Sequence, residues 1–382
     1  MTSGITSTAD VADIVHSRRP MRENQSVERL PWSRIVRLAI VGTMLMTLGV
    51  FLDLGADSGN TVGLVQPGQD GPSIEVFRED FPDVAIPDGL GHDGQQFYAI
   101  ARSPMHFDEV SPHLDRAQYR FQRPLYPVLA WALHPSGGGR GLISAMVVVG
   151  VVSIFLAGLG AGSLSVQLGG GTWPALLVPL LPGTFAAMRI SLADTLAIAL
   201  TLLALTAVER GRAGVGACAA VLSVFAKEAL LIVLLGHALS RRTRASIIAA
   251  GAAAMSTAAW WVALKFLVDA AATEQVVEFT WPFGGVVSSL SHWLAGDDWI
   301  AGVTVVGAFV LAAAALWTRG RSHPLFGALA ASTIFSIFLG RSVLGLDFNG
   351  PRTIGPMLIL AILTFGTPTP SHEGVREQPV PA

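Results

Sequence analysis

Residues 192–244 read LADTLAIALTLLALTAVERGRAGVGACAAVLSVFAKEALLIVLLGHALSRRTR. Apolar runs at about 192–208, 213–226 and 228–239 are divided by short charged stretches, and basic connections follow the first and the third run. A charge at bilayer depth costs at least about 2.5 kcal/mol, so ionisable residues there usually line a site or a wet cavity. The stretch therefore predicts closely connected membrane helices that carry an internal polar site.

The composition of the whole chain supports the membrane class. Of the 382 residues, 51% are apolar and 14% are charged, whereas a soluble domain carries about 25% charged residues. The formal net charge of −2 argues for no nucleic-acid partner. A single cysteine, Cys218, excludes an intrachain disulfide.

Counting apolar segments outward from this stretch gives about ten transmembrane or half-membrane helices in an all-α polytopic protein. The predicted segments are 35–54, 141–166, 173–189, 192–208, 213–226, 228–239, 245–268, 299–317, 324–340 and 353–367. The basic connections at 209–212, 241–244 and 319–321 then all fall on the cytoplasmic side, as the positive-inside rule requires. We expect a multi-pass protein of the plasma (inner) membrane with membrane lipids as its surroundings.

The same assignment of membrane segments defines the domains. A cytoplasmic tail at 1–34 precedes the multispanning domain at 35–367, and a disordered cytoplasmic tail follows at 368–382. Residues 55–123 form a long extracytoplasmic loop with an acidic excess. The apolar stretch 124–133 is too short to cross a bilayer, so we expect an interfacial helix there.

The segments 213–226 and 228–239 are shorter than the roughly 20 residues needed to cross a bilayer. One interpretation is a pair of half-helices that meet at Lys227 and Glu228. The alternative, one continuous helix, would put the two flanking basic connections on opposite sides of the membrane.

The predicted topology places five charged residues at the same, non-cytoplasmic face: Asp93, Asp194, Lys227, Glu228 and Arg352. We therefore expect one polar site. Simpler interpretations stay open for each residue. Asp194 could cap the helix that follows it, Lys227 and Glu228 could neutralise each other, and Arg352 could anchor the last span at the interface.

Two stretches of the long loop carry the strongest local signal. Residues 91–101 read GHDGQQFYAIA, where Asp93-Gly94 favours a turn and the apolar residues after it can begin a helix. Residues 119–127 read YRFQRPLYP. Arg120 and Arg123 among aromatic residues suit the phosphate group of a lipid, because a guanidinium binds phosphate through two parallel hydrogen bonds. The alternative is an ordinary aromatic belt with basic anchors.

These two stretches resemble a family of bacterial polytopic membrane proteins linked to cell-surface glycopolymer formation. More distantly, they resemble the GT-C glycosyltransferases, such as the dolichol-phosphate-mannose-dependent mannosyltransferases, whose first outer loop carries a Trp-Asp-Gly-x-x-Tyr segment. His92 stands where those enzymes have Trp. The resemblance implies a GT-C-like fold and transfer of a sugar from a polyprenyl-phosphate donor to a cell-surface glycan or glycolipid acceptor.

Carried onto this chain, the resemblance implies that Asp93 is the catalytic residue, a general base for the acceptor hydroxyl. The candidate substrate-binding residues are Arg120, Gln122, Arg123, Tyr126, Asp194, Lys227, Glu228 and Arg352. The histidines show no familiar metal-ligand spacing, so no metal site is predicted. Mg²⁺ or Mn²⁺ held by Asp88, Asp93 and Asp108 is left open, and the cofactor is therefore unknown.

Two other functions remain. A transporter or flippase for a lipid-linked saccharide would place polar residues near the bilayer midplane, on paired broken helices. A non-catalytic partner in glycopolymer assembly would need no catalytic residue.

Overall fold

The computed structural model describes residues 31–57, 59–268, 278–296 and 298–368. The described chain is helical, apart from connections and one isolated antiparallel bridge between Phe279 and Leu339. The all-α prediction is therefore confirmed. The tails predicted at 1–34 and 368–382 lie almost entirely outside the described residues.

Nineteen α-helices follow one another along the described chain. The first ten are α1 Trp32–Asp57, α2 Ile74–Asp80, α3 Gly94–Arg102, α4 Phe107–Val110, α5 Ala117–Arg120, α6 Leu125–Leu133, α7 Arg140–Gln167, α8 Pro174–Leu177, α9 Pro182–Arg189 and α10 Asp194–Glu209. The remainder are α11 Ala213–Ala226, α12 Leu231–Arg241, α13 Arg244–Leu267, α14 Gly284–Ala295, α15 Trp299–Arg319, α16 Phe326–Ile337, α17 Arg341–Leu344, α18 Asn349–Thr353 and α19 Gly355–Gly366.

Four of these helices, α1, α7, α13 and α15, are long and apolar enough to cross a membrane. The longest, α7, has 28 residues and at 1.5 Å per residue extends about 42 Å, against a hydrocarbon core of about 30 Å. The helices α11, α16 and α19 are apolar but shorter. The architecture is compatible with a membrane protein.

The chain breaks at Lys227, as the half-helix interpretation predicts. Helix α11 ends at Ala226, Lys227 is extended with φ −158° and ψ 111°, and Glu228–Leu230 form a 3-10 turn before α12. The single continuous helix is therefore wrong. A broken helix exposes backbone groups, which is tolerated at membrane depth only where protein or a wet cavity surrounds them.

The stretch predicted as one segment, 173–189, is not one continuous helix. The stretch divides into α8, a 3-10 turn at Val178–Leu180 and α9. Leu181 is extended, with φ −70° and ψ 147°. The residue before a proline is pushed out of the helical region, and Pro182 itself has no N–H to continue the helical hydrogen bonds. Pro179 and Pro182 indicate this interruption in the sequence. The apolar character of the stretch nevertheless favours a single segment when hydropathy alone is considered.

Small residues allow the central helices to approach closely. Helix α7 packs against α10, and a Cβ placed on Gly160 would lie 2.8 Å from the Cβ of Leu202. Helices α12 and α16 meet through Gly236 and Gly327, where an added Cβ on either would lie within 2.4 Å of the other's carbonyl oxygen. Such small-residue contacts are typical of helix packing in membranes.

The basic connections gather at one end of the bundle, which we call the arginine-rich end. Arg241, at the end of α12, forms an ion pair with Glu209, at the end of α10, at 2.9 Å. Arg210 donates a hydrogen bond at 3.1 Å to Gln167, at the end of α7. The ends of α7, α10 and α12 are therefore neighbours, as the threading predicts.

Helices α15 and α19 also finish at this end, because Arg319 donates to the carbonyl oxygen of Phe365 at 2.6 Å. The opposite end is set by the start of α10 at Asp194. Helix α10 has 16 residues, so about 24 Å of helix separates Asp194 from the arginine-rich end.

Candidate functional site

A tight turn holds Asp93 at the start of α3. Gly91 has a φ of +67°, a region that glycine enters without strain. The His92 N–H donates to the carbonyl oxygen of Gln66 at 2.9 Å. Gly94 faces the backbone of Ile190, since an added Cβ would lie 2.2 Å from its carbonyl oxygen. The helix predicted after Asp93-Gly94 is thus confirmed, and its first residue is pressed against the bundle.

The motif at 119–127 is tied to the bundle through its backbone and side chains. The Trp260 indole on α13 donates to the carbonyl oxygen of Phe121 at 2.9 Å. Gln118 donates to the carbonyl oxygen of Val268, after the end of α13, at 3.0 Å. These contacts bring Arg120 to Asp93, with Arg120 Nη1 and Asp93 Oδ1 at 3.0 Å.

Arg352 joins Asp93 to Asp194. Its Nη2 donates to Asp93 Oδ2 at 2.9 Å, and its Nη1 donates to Asp194 Oδ2 at 3.3 Å. Asp194 Oδ1 accepts a hydrogen bond from Lys227 Nζ at 2.5 Å. Besides its contact with Asp93, Arg120 donates two hydrogen bonds to Asp115, at 2.8 and 2.7 Å.

Six charged side chains thus form one chain of contacts, which we call the charge network. In order, they are Asp115, Arg120, Asp93, Arg352, Asp194 and Lys227. Three negative and three positive groups alternate, so their formal charges cancel. Of the two carboxylates that Arg352 contacts, Asp93 is the more accessible, with 24% of its side chain exposed against 6% for Asp194.

A second ion pair lies beside the charge network. Arg123 donates to both carboxylate oxygens of Glu228, at 2.8 and 2.7 Å, and to the hydroxyl of Tyr119 at 2.5 Å. The Tyr119 ring also lies 4.3 Å from the Arg116 guanidinium. Arg116 in turn forms an ion pair with Glu278 at 2.8 Å. The long loop is therefore linked both to the break after α11 and to the segment before α14.

The contacts correct three simpler interpretations. Asp194 makes no capping hydrogen bond at the start of α10 and instead pairs with Lys227. Lys227 and Glu228 do not neutralise each other, because the extended backbone at Lys227 turns the two side chains toward different partners. Arg352 is buried against two carboxylates, so it is more than an interfacial anchor.

Two of the predicted binding residues, Tyr126 and Gln122, belong neither to the charge network nor to the ion pair of Arg123 and Glu228. Tyr126 is 1% exposed, and its hydroxyl donates to the carbonyl oxygen of Met146 at 3.0 Å. That contact joins α6 to α7, and the predicted substrate contact of Tyr126 stays a prediction. Gln122 is half-buried, and its side chain takes no part in the ion-paired contacts among the described residues.

Three residues that contact the arginines of the site, Asp115, Tyr119 and Asn349, were not among the predicted site residues. Asp115 is fixed by its own N–H, which donates to Gln96 Oε1 at 3.1 Å. Tyr119 stacks among arginines, and Asn349 Oδ1 accepts from Arg352 at 2.8 Å. The spacing of Asn349 and Arg352, three residues apart on a helical turn, is the one local signal that could have found a pair.

The surroundings of Asp93 keep it ionised. Burial alone would raise the pKa of the Asp93 carboxyl, but Arg120 and Arg352 hold it well below its usual value. Burial lowers the pKa of the Arg352 guanidinium, yet Asp194 and Asp93 more than offset this and raise it. Since an efficient general base has a pKa near the working pH, Asp93 is a weak base while both arginines hold it.

The groups around Asp93 do not fit a divalent cation. Each of its oxygens forms an ion pair with a guanidinium group, whose positive charge would repel a metal ion. In the described part of the chain, no three His, Cys, Asp or Glu side chains come together as a possible metal site. The described side chains therefore do not form the Mg²⁺ or Mn²⁺ site that Asp88, Asp93 and Asp108 left open.

No protein-family model, no curated protein and no solved structure matches the chain.

Proposed function

We propose that this protein is a membrane glycosyltransferase. It moves a sugar from a polyprenyl-phosphate donor to a cell-surface glycan or glycolipid. One observation carries the proposal: Asp93 meets Arg120 and Arg352, and Arg352 continues to Asp194 and Lys227. A carboxylate thus lies among cationic groups of the kind that bind a phosphate leaving group.

The proposed topology has ten membrane segments, counting α8 and α9 together as one. The arginine-rich end is cytoplasmic by the positive-inside rule. The charge network, about 24 Å away along α10, then lies near the opposite membrane surface of the plasma membrane. Support comes from the alternating ends at which successive helices finish and from the four long apolar helices.

In the proposed reaction, the acceptor hydroxyl oxygen attacks the anomeric carbon of the donor sugar. The bond between that carbon and the phosphate oxygen breaks, and the lipid phosphate leaves with the electron pair. The hydroxyl proton passes to Asp93 and then to water. Arg120, Arg352 and Lys227 stabilise the negative charge that develops on the phosphate, as preorganised cations do in a buried site.

Binding of the donor would also activate the base. A phosphate competes with Asp93 for the guanidinium groups of Arg120 and Arg352. Once the two guanidinium groups contact the phosphate, the positive charges that depress the pKa of Asp93 are partly neutralised, and its pKa rises. The base would thus gain strength only when a donor is present.

The position of the charges favours transfer over transport. A transporter site is expected near the bilayer midplane, whereas α10 and α19 both begin at the network and run away from it. Within the part of the chain that the structure describes, one clearly broken helix pair, α11 and α12, carries network residues, whereas a transporter usually has two related ones.

Asp93→Asn tests the proposal. The purified variant is assayed for sugar transfer from a polyprenyl-phosphate sugar, with lipid-phosphate binding measured in parallel. We expect transfer to fall by about 100-fold or more, the contribution of a general base, while binding is retained. The control is Glu79→Gln, which removes an exposed carboxylate from an ion pair with Arg102 in the same loop. Transfer at the wild-type rate by Asp93→Asn would exclude Asp93 as the base.

A further inference from the structure

A small cavity lies beside Lys227, between α12 and α16. It has a volume of about 30 Å³, and its polar lining comes from Lys227, Ser332, Ser336 and Thr353. Ser332 and Ser336 are four residues apart, so they lie on the same face of α16. Both residues are buried, and their side chains line the cavity. A buried polar group is usually hydrogen-bonded, so these hydroxyl groups suit a polar ligand in the cavity.

Lys227 also has donors to spare. Its ammonium group carries three N–H donors, and in the described structure one hydrogen bond, to Asp194, uses it. Because Lys227 lines the cavity, its remaining donors can serve a ligand there. An ammonium with neighbouring hydroxyls suits a phosphate oxygen better than a neutral carbonyl.

An apolar groove adjoins the cavity. It has a volume of about 460 Å³ and is lined by Ile232, Phe279, Ala331, Ile334, Phe335 and Phe338. Ile232 and Phe335 line both the groove and the cavity, so these two side chains form the wall between them. Ile334 is 59% exposed, which leaves the groove open along the side of α16.

We infer that this groove holds the isoprenoid chain of a lipid phosphate, with the phosphate directed through the shared wall toward Lys227. The inference rests on the proposed function and gives its donor a location. A branched, apolar chain matches the aliphatic and aromatic lining, and the phosphate charge complements Lys227. A 30 Å³ cavity holds water but no phosphate, so the Phe335 side chain moves when the headgroup arrives.

The test measures binding of geranylgeranyl phosphate to the full-length protein in lipid nanodiscs, with geranylgeraniol and inorganic phosphate as separate probes. Ile334→Trp fills the groove and is expected to weaken binding of geranylgeranyl phosphate and geranylgeraniol by about tenfold. Val310→Trp is the matched control, because Val310 is 65% exposed on a different helix, α15. That variant should bind as the wild type does.

A second variant examines the headgroup. Ser336→Ala should weaken binding of geranylgeranyl phosphate while leaving that of geranylgeraniol unchanged. Equal binding of geranylgeranyl phosphate by Ile334→Trp and the wild type would overturn the inference. Inorganic phosphate that binds as tightly as the lipid would also overturn it, because the chain would then contribute nothing.

Transfer assays on the same samples separate the two proposals. If Ile334→Trp loses lipid binding but the wild type transfers no sugar, the inference that the groove binds a lipid phosphate is supported and the proposed transferase activity is contradicted. If Ile334→Trp transfers sugar with the wild-type KM, the transferase stands and the groove fails.

Discussion

Arg352 Nη2 donates to Asp93 Oδ2 at 2.9 Å, although 259 positions separate the two residues in the chain. The same guanidinium reaches Asp194 through Nη1. Its rigid, planar fork can hold two carboxylates at once, which a lysine ammonium on a flexible stem does not reproduce. The Arg352 side chain is therefore one of the links between the long loop and the helical bundle.

Replacing Arg352 by Gln should destabilise the protein strongly. Removing one partner of a buried ion pair costs about 3–5 kcal/mol, because the remaining charges are left without compensation. Thermal unfolding in detergent measures the loss. The control is Glu79→Gln, because the exposed side chain of Glu79 pairs with Arg102 at the surface and an exposed ion pair contributes little to stability. Equal effects of the two variants would contradict a buried network.

The pair of Arg123 and Glu228 should be strongly coupled. Either single change, Arg123→Gln or Glu228→Gln, leaves an uncompensated buried charge, whereas the double variant leaves none. We therefore expect the double variant to be more stable than the sum of the single effects predicts, by about 0.5–3 kcal/mol. A double-mutant cycle of unfolding free energies measures this coupling. Additive effects would show that the two groups act independently.

Gly94→Ala should displace the turn that carries Asp93. The added Cβ would lie 2.2 Å from the carbonyl oxygen of Ile190, a backbone atom that cannot swing aside. We expect lower thermal stability and lower sugar transfer together. Gly251→Ala is the matched control, since nothing lies within 4 Å of the new Cβ on α13. Alanine is the better helix former by about 1 kcal/mol, so this variant should be at least as stable as the wild type.

His323 should make stability depend on pH. Burial, reinforced by Arg319, lowers its pKa to about 4, and the unfolded value is about 6.5. Its Nδ1 accepts from the Leu325 N–H at 3.2 Å, which requires an unprotonated nitrogen. Below pH 6.5 the unfolded chain binds this proton more readily, so its contribution to stability is complete above about 6.5 and falls toward pH 4.

The measurement compares melting temperatures at pH 7.5 and pH 5. His323→Asn removes the titrating group while its side-chain oxygen can still accept the Leu325 hydrogen bond. We expect the wild type to lose more stability on acidification than the variant does. Parallel losses would show that other groups dominate this pH range.

Much of the architecture could be predicted because its causes are local. Apolar runs and basic connections predicted an all-α chain with long apolar helices, four of which the structure contains, and Asp93-Gly94 predicted the start of α3. The shortness of the runs around Lys227 predicted the break there. At Pro179 and Pro182 hydropathy gives the wrong helix boundaries. It predicts one segment, whereas the prolines divide the stretch into α8, a 3-10 turn and α9.

The sequence by itself determined that charged residues from distant segments share one end of a helical bundle, since hydrophobic length and connection charge decide where each helix begins and ends. Only the tertiary structure decided the pairing. Lys227 pairs with Asp194 and not with its sequence neighbour Glu228. Asp115 belongs to the charge network although no sequence pattern predicts it. The physical reason is that side-chain partners depend on how helices pack and rotate against one another, to within an ångström or two, and no local pattern encodes that geometry.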